Sequence, residues 1–483
     1  MRIAEIIVFI IYLIFLICIG VYFFMKSKSG GEKTYFLGGR QMGPWVSALS
    51  AGASDMSAWV LMGLPASIYA AGIGQAWIAI GLAIGYAVSW ILEAPRLRRF
   101  SIIANDSITI PQYLTNRFKS SSKSLQIICA VIFIFAYTIY AASSMKACGT
   151  LFNTVIGINA QTAMYIAAAI IVAYTFLGGF SAVCWTDFFQ GLLMLAALLV
   201  APIFALGLMN AGKGAANAAL PAGYWSLFSS WQDIVSGLGW GLGYFGMPHI
   251  IVRFMAVRSD KELKKSARIG IVWNVLILVF SVAAGCIGHM FMGEIEDSST
   301  VFIQMVRLIF PGVISGILLS AILAASMSTA DSQLLASASA FASDVYKPVF
   351  RKNQASDQEM LWAGRFVVLA ISIVAVIIAA NPNSGTIMGL VGNAWGVFGA
   401  AFGPAILLSL FWKRFNFPGA VAGILVGAAV DILWLAFLSG TGVYEIVPGF
   451  IVGLIAAVVV SKATKAPGKD VEELFDRAVS STD

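Results

Sequence analysis

Apolar residues run in stretches of about twenty along nearly the whole chain, and polar residues gather between them. A stretch of about 20 apolar residues is the length that a helix needs to cross a bilayer. Such runs fall near 5–24, 43–71, 76–95, 125–153, 161–178, 186–211, 232–252, 269–292, 302–342, 362–380, 386–412, 417–438 and 446–462. Backbone polar groups in lipid must be satisfied within the segment, so the runs predict helices. The expectation is an all-α integral membrane protein of about 13 transmembrane helices. The run 302–342 is too long for one straight crossing and is expected to bend or to extend beyond the membrane. The first run is followed by Lys26 and Lys28 with no small-residue cleavage site, which reads as a retained span.

Charge adds orientation. Every second loop is basic: 26–40, 96–123, 253–268, 347–365, 413–414 and the tail from 462. The opposite loops hold Arg2 and Lys213 with the acids Glu294, Glu296 and Asp297. Positive loops stay in the cytoplasm, so the N-terminus is expected outside and the C-terminus inside. The net charge of +7 then reports topology, and no nucleic-acid partner is invoked.

Composition excludes a water-soluble chain. Hydrophobic residues make up 59% and charged residues 11%, where soluble proteins carry about 25% charged residues. The five cysteines lie within or at the ends of apolar runs and imply neither disulfides nor zinc. The two histidines, His249 and His289, lack partners at H-x-x-x-H spacing, and there is no G-x-S-x-G, so an enzyme is not expected. His249 reads as structural or cavity-lining, and His289 as a core or interfacial residue. Residues 470–479 read as one short amphipathic helix.

Candidate chemistry centres on Asp55, alone in an uncharged run with Ser50, Gly52, Ser54 and Ser57 around it. A carboxylate at bilayer depth costs about 2.5–3.5 kcal/mol on insertion scales, so it marks function. Its neighbours predict a broken helix facing a polar cavity, the way secondary transporters hold an ion and a solute near the midplane. A second break is predicted where Gly237, Gly239, Gly241, Gly243 and Gly246 precede Pro248. Close helix packing would explain part of that glycine density. Trp240, Tyr244 and Pro248, four apart, would share one face as an aromatic wall. Ala325, Ser328, Thr329 and Ser332 form a small, hydroxyl-rich stripe suited to a hard cation. Asp187 reads equally as a helix cap or an ion ligand, and Glu93 as a solvated edge residue. Arg40 reads as an anchor or part of an inner gate, and Tyr140 as core or pocket.

These residues resemble a known family. The motifs 35–40, 48–57, 59–65, 178–187, 239–249 and 319–329 are similar to those of the sodium:solute symporters, most of all its bacterial proline carriers, along essentially the whole chain. The resemblance implies two inverted five-helix repeats of the LeuT type, with one extra N-terminal and two extra C-terminal helices. The divisions would be 1–42, 43–212, 213–415, 416–462 and 463–483. It implies Na+ as the coupling ion, held by the carbonyls of Ala53, Met56 and Ala325 and the hydroxyls of Ser328 and Thr329, with Asp55 linked to the ion. It implies L-proline as solute, bound by Ser57, Ala58, Tyr140, Trp240, Tyr244 and Pro248. Ala58 replaces a glycine usual in proline carriers. Asp331 departs from the family pattern: with Asp187 and Ser332 it forms a second cation site, or it only bonds neighbouring helices. The implied setting is a bacterial inner membrane, with lipid, ion and solute as partners and no obligatory protein partner. Alternatives are a sodium symporter for another small amino or carboxylic acid, and a transporter-like sensor, which would need a signalling domain that the short tail does not supply.

Overall fold

The computed structural model describes residues 2–26, 32–177, 179–212, 220–352 and 354–481. Lys28, Gly178 and Lys213 lie outside them. Among the described residues the chain is helical, with one isolated bridge pairing Met42 and Val257. The first half runs α1 Ile3–Lys26, α2 Glu32–Leu37, α3 Pro44–Asp55, α4 Gly63–Ala71, α5 Ala76–Val88, α6 Ala94–Ile103, α7 Ile110–Arg117, α8 Ser124–Ile156, α9 Ala160–Leu177 and α10 Phe180–Asn210. The second runs α11 Trp231–Trp240, α12 Pro248–Ala256, α13 Asp260–Met292, α14 Val301–Ile309, α15 Gly312–Ser339 and α16 Asp357–Ala380. It closes with α17 Ile387–Phe411, α18 Phe417–Phe437, α19 Ile446–Ala463 and α20 Lys469–Ser480.

Ten helices among the described residues are long and apolar enough to cross a membrane. The three other predicted spans take different forms. The run 43–71 is divided into α3 and α4, the run 232–252 into α11 and α12, and α9 has a shorter apolar stretch. The run 302–342 also divides: Pro311 caps α15 after the short α14, and the helix continues past Ser339 as a π-helical segment, Ala340–Phe350. Proline lacks the N–H that would have joined the two pieces.

The two breaks lie beside one another. Pro44 and Pro248 each start a helix, where a missing N–H costs nothing. The starts of α3 and the end of α12 are zipped together: Met42 N donates to Ala256 O at 3.1 Å, and Arg258 N to Met42 O at 3.2 Å. The glycines of the second break serve close packing as well as the break. A Cβ on Gly241 would stand 2.3 Å from Gly81 O of α5, and one on Gly243 would stand 1.9 Å from Trp395 Nε1. Every residue from Leu318 to Leu335 on α15 is buried, whereas Phe366 and Phe437 are 72% and 78% exposed on the lipid-facing helices. α20 lays Val471, Leu474, Phe475 and Ala478 against the basic end of the bundle.

Candidate functional site

α3 ends at Asp55 because Met56 leaves the helical region at φ −75°, ψ 74° and Ser57 is extended. A single 3₁₀ turn, Ala58–Val60, follows before α4. The freed backbone faces α15. Ser328 Oγ donates to Ala53 O at 2.7 Å and contacts Ala325 O at 3.1 Å. Thr329 Oγ1 is buried without a hydrogen-bond partner among the described residues. Ala53, Met56, Ala325, Ser328 and Thr329 are all fully buried. Two carbonyls and two hydroxyls are thus gathered where α3 breaks. These oxygens fit a hard monovalent cation, and Ser328 donates to a carbonyl that would share it.

Asp55 is fully buried. Its Oδ2 accepts from Tyr244 Oη at 2.5 Å, and its Oδ1 has no hydrogen-bond partner among the described residues. Its carbonyl accepts from Tyr140 Oη at 3.2 Å and Trp59 Nε1 at 3.1 Å. Ser57 and Ala58 lie buried in the turn just beyond, and Ser57 Oγ caps Trp59 N. His249 is structural: its Nε2 meets Ser54 O at 3.1 Å, its Nδ1 meets Tyr137 Oη at 3.2 Å, and its backbone N donates to the same phenol. His289 sits in the core against Tyr69 O.

The aromatic wall is arranged differently from the expected helical face. Trp240 ends α11, Tyr244 sits in the 3₁₀ segment Gly241–Phe245, and Pro248 starts α12. With no continuous helix, a spacing of four does not set one face. Trp240 stacks on Tyr444 at 4.9 Å, and Trp395 Nε1 donates to Trp240 O at 2.7 Å. Tyr244 is held between the edges of Tyr86 and Trp395, both at 5.1 Å. Pro248 instead lines a small, mostly apolar cavity of about 30 Å³, shared with Phe36, Ile110, Phe180, Arg253 and Ser332. That cavity lies on the basic side of the bundle. On the opposite side a wider vestibule of about 460 Å³ is lined by Gly63, Lys146, Asp297 and Met388.

Asp187 neither caps its helix start nor stands alone. Its Oδ2 accepts from Ser50 Oγ at 2.7 Å and from Arg253 Nη2 at 3.0 Å. Arg253 also donates to Ser50 Oγ at 2.9 Å and to Ser332 Oγ at 2.6 Å, and Ser332 Oγ reaches Asp331 Oδ1 at 3.3 Å. One guanidinium therefore joins α3, α10, α12 and α15. Arg253 is only 2% exposed, although the sequence places it at the start of the basic loop 253–268. The available signal was its place in the apolar run Ile250–Phe254, one turn after His249. Glu93 is likewise buried, not solvated, and accepts from Ser89 Oγ at 2.8 Å.

Arg40 is 8% exposed at the basic end. It donates to Asp106 Oδ1 at 2.9 Å, Met255 O at 2.6 Å and Ser107 O at 2.7 Å, tying the start of α3 to α12 and the α6–α7 loop. Burial lowers the Arg40 pKa, and Asp106 opposes that shift. Burial raises the Asp106 carboxyl, but its Lys33 and Arg40 partners outweigh this and hold it below the ordinary value. Sequence reasoning also missed Trp395 of α17 and Tyr444 in the loop before α19, which back the wall from distant parts of the chain and carry no local motif.

Comparison with known proteins fits this geometry. Residues 35–427 match the model of the sodium:solute symporter family. The chain is 45% identical to the osmoregulated proline transporter OpuE of Bacillus subtilis (strain 168), covering 96% of each chain. It is 44% identical to the high-affinity proline transporter PutP of the same organism, covering 94% of this chain and 97% of that one. It is also 44% identical to the sodium/proline symporter of Staphylococcus aureus (strain JH9), covering 96% and 93%. Among solved structures it resembles a substrate-bound, outward-open Na+-coupled sialic acid symporter, with a TM-score of 0.78 at 21% identity over 96% of this chain and 99% of that one. MhsT in complex with L-phenylalanine follows at 0.56 and 14%, over 87% and 98%. At these identities the likeness carries the fold, which is the LeuT type. With the family model matching most of its length, the chain belongs to the sodium:solute symporter family.

Proposed function

We propose that the protein is a sodium-coupled symporter that imports L-proline by alternating access across a bacterial cell membrane. The observation that carries this reading is the meeting of the α3 break with Ser328 and Thr329, directly beside the phenols gathered on Asp55. The 44–45% identity to named proline transporters supports the choice of solute. Sodium would be held by Ala53, Met56 and Ala325 carbonyls with Ser328 and Thr329 hydroxyls. Its arrival would break the Ser328–Ala53 hydrogen bond and compensate Asp55. Proline would then seat among Ser57, Ala58, Tyr140, Trp240, Tyr244 and Pro248. The cavity that reaches Pro248 from the basic side supports an exit into the cytoplasm. The basic loops support an outside N-terminus and a cytoplasmic C-terminus. Arg40, which clasps the bases of both broken spans, is proposed as part of the inner gate. Transport, and not intramembrane catalysis, is the chemistry that these groups suit.

The test of the solute is uptake of labelled L-proline into proteoliposomes under a sodium gradient, with competition by each of the other amino acids. Strong competition by proline alone is the expected result. Equal competition by an unrelated amino or carboxylic acid would replace proline and leave the sodium coupling standing.

A further inference from the structure

Both phenols of the proposed solute pocket are already engaged by the ion-linked residue. Tyr140 donates to the Asp55 carbonyl and Tyr244 to the Asp55 carboxylate, at 3.2 and 2.5 Å. The two bonds differ in kind. A carbonyl accepts whether or not an ion is near. A buried carboxylate needs compensation when no cation is present, and a hydroxyl donor supplies part of it. Among the described residues Asp55 has little else: its Oδ1 lacks a hydrogen-bond partner, and its place at the C-terminal end of α3 adds the partial negative charge of the helix. Tyr244 itself is well placed to exchange partners. It sits in the 3₁₀ segment of the second broken span, packed by ring edges, with the Asn274 side chain beside its hydroxyl as a second polar partner.

We propose that Tyr244 is the coupling residue between the two sites: its hydroxyl compensates Asp55 when sodium is absent and is released to the solute carboxylate when sodium binds. The proposal rests on the sodium/proline reading above and adds how the two ligands sense each other. Sodium beside Asp55 supplies the positive charge that the phenol had replaced. The freed O–H then becomes a donor in the pocket that an incoming carboxylate occupies. The order of binding follows, because before sodium arrives the solute must compete with Asp55 for the same proton donor. Coupling between two ligands is reciprocal, so one factor describes the effect of sodium on proline affinity and of proline on sodium affinity.

The sign of the effect separates this role from mere packing. Removing the hydroxyl takes stabilisation from the sodium-free state, so sodium alone should bind more tightly. A structural defect would weaken both ligands. The experiment uses the full chain in lipid nanodiscs and measures labelled sodium binding without proline, and labelled proline binding with and without saturating sodium. In the wild type, sodium should tighten proline binding by roughly 5- to 150-fold. In Tyr244→Phe, sodium binding should tighten about 3- to 10-fold, and the coupling factor should fall to near one. Tyr140→Phe removes a hydroxyl that meets the carbonyl of Asp55 and not its carboxylate, and should weaken proline binding and keep the coupling factor. A Tyr244→Phe protein with weaker or unchanged sodium affinity and an intact coupling factor would overturn the proposal. Wild-type proline binding indifferent to sodium would instead overturn the sodium-coupled function. A second measurement needs no variant: with ring-labelled tyrosine, adding sodium without proline should shift a phenol C–O band in the infrared difference spectrum. No tyrosine change on sodium addition would also overturn it.

Discussion

Asp55 ends a helix whose own dipole is negative there, in a fully buried position. A charge so placed is retained only for a ligand that repays it. Asp55→Asn is therefore expected to reach the membrane and to raise the sodium concentration for half-maximal uptake by about tenfold or more, which corresponds to roughly 1.4 kcal/mol of lost ion interaction. Sodium titration of uptake checks this, and a wild-type titration curve would make Asp55 structural. Arg253 has the opposite task, holding the charge of Asp187 inside the protein. Arg253→Ala leaves that carboxylate buried without its cation and is expected to cost about 3–5 kcal/mol, read as a fall in thermal unfolding temperature. Asp55 was legible because no other charge interrupts its run. Arg253 was not, because it follows an apolar stretch that leads into a basic loop, and only tertiary packing turns it inward. Glu93 was misread for the same reason: a polar residue near a span end carries no local mark of which way it faces.

The broken spans were legible as elements because their residues are poor helix formers whatever they pack against. Ser50, Gly52, Ser54 and Ser57 surround one break, and five glycines with Pro248 the other. What each piece faces was not legible. The expected single face of Trp240, Tyr244 and Pro248 assumed a continuous helix, whereas the three fall on three successive segments, with Trp240 and Tyr244 both against Trp395. The run 302–342 was legible as too long for one straight crossing, but the place of its division, at Pro311, was not. Because Trp240 is the member stacked on Tyr444, in the loop that leads into α19, the wall depends on a segment outside the two breaks. Trp240→Ala is expected to raise the apparent proline KM about tenfold or more, since loss of about 1.4 kcal/mol of ring contact suffices. Uptake kinetics at saturating sodium check this, and an unchanged KM would move the pocket elsewhere.

Across the whole molecule, hydropathy and loop charge indicated a polytopic bundle, but not which helices touch. Pattern alone cannot pair helices that are separated by a hundred residues, and the LeuT-type arrangement entered through the family motifs. That arrangement brings α3, α10, α12 and α15 around Arg253 and so fills the place beside Asp187 with a fixed cation. One sodium and one net charge per proline are accordingly expected. One charge falling through 100 mV releases roughly 2.3 kcal/mol, or about 40-fold accumulation. The reversal potential of the proline-coupled current gives the ratio, and a value near two would assign a second ion to Asp187, Asp331 and Ser332. The central claim, that a sodium gradient drives proline inward, meets its most direct test in purified protein reconstituted into liposomes. Labelled L-proline should accumulate above equilibrium under an inward sodium gradient and fall to the equilibrium level when potassium replaces sodium on both sides. Uptake of equal rate and extent without sodium would contradict it.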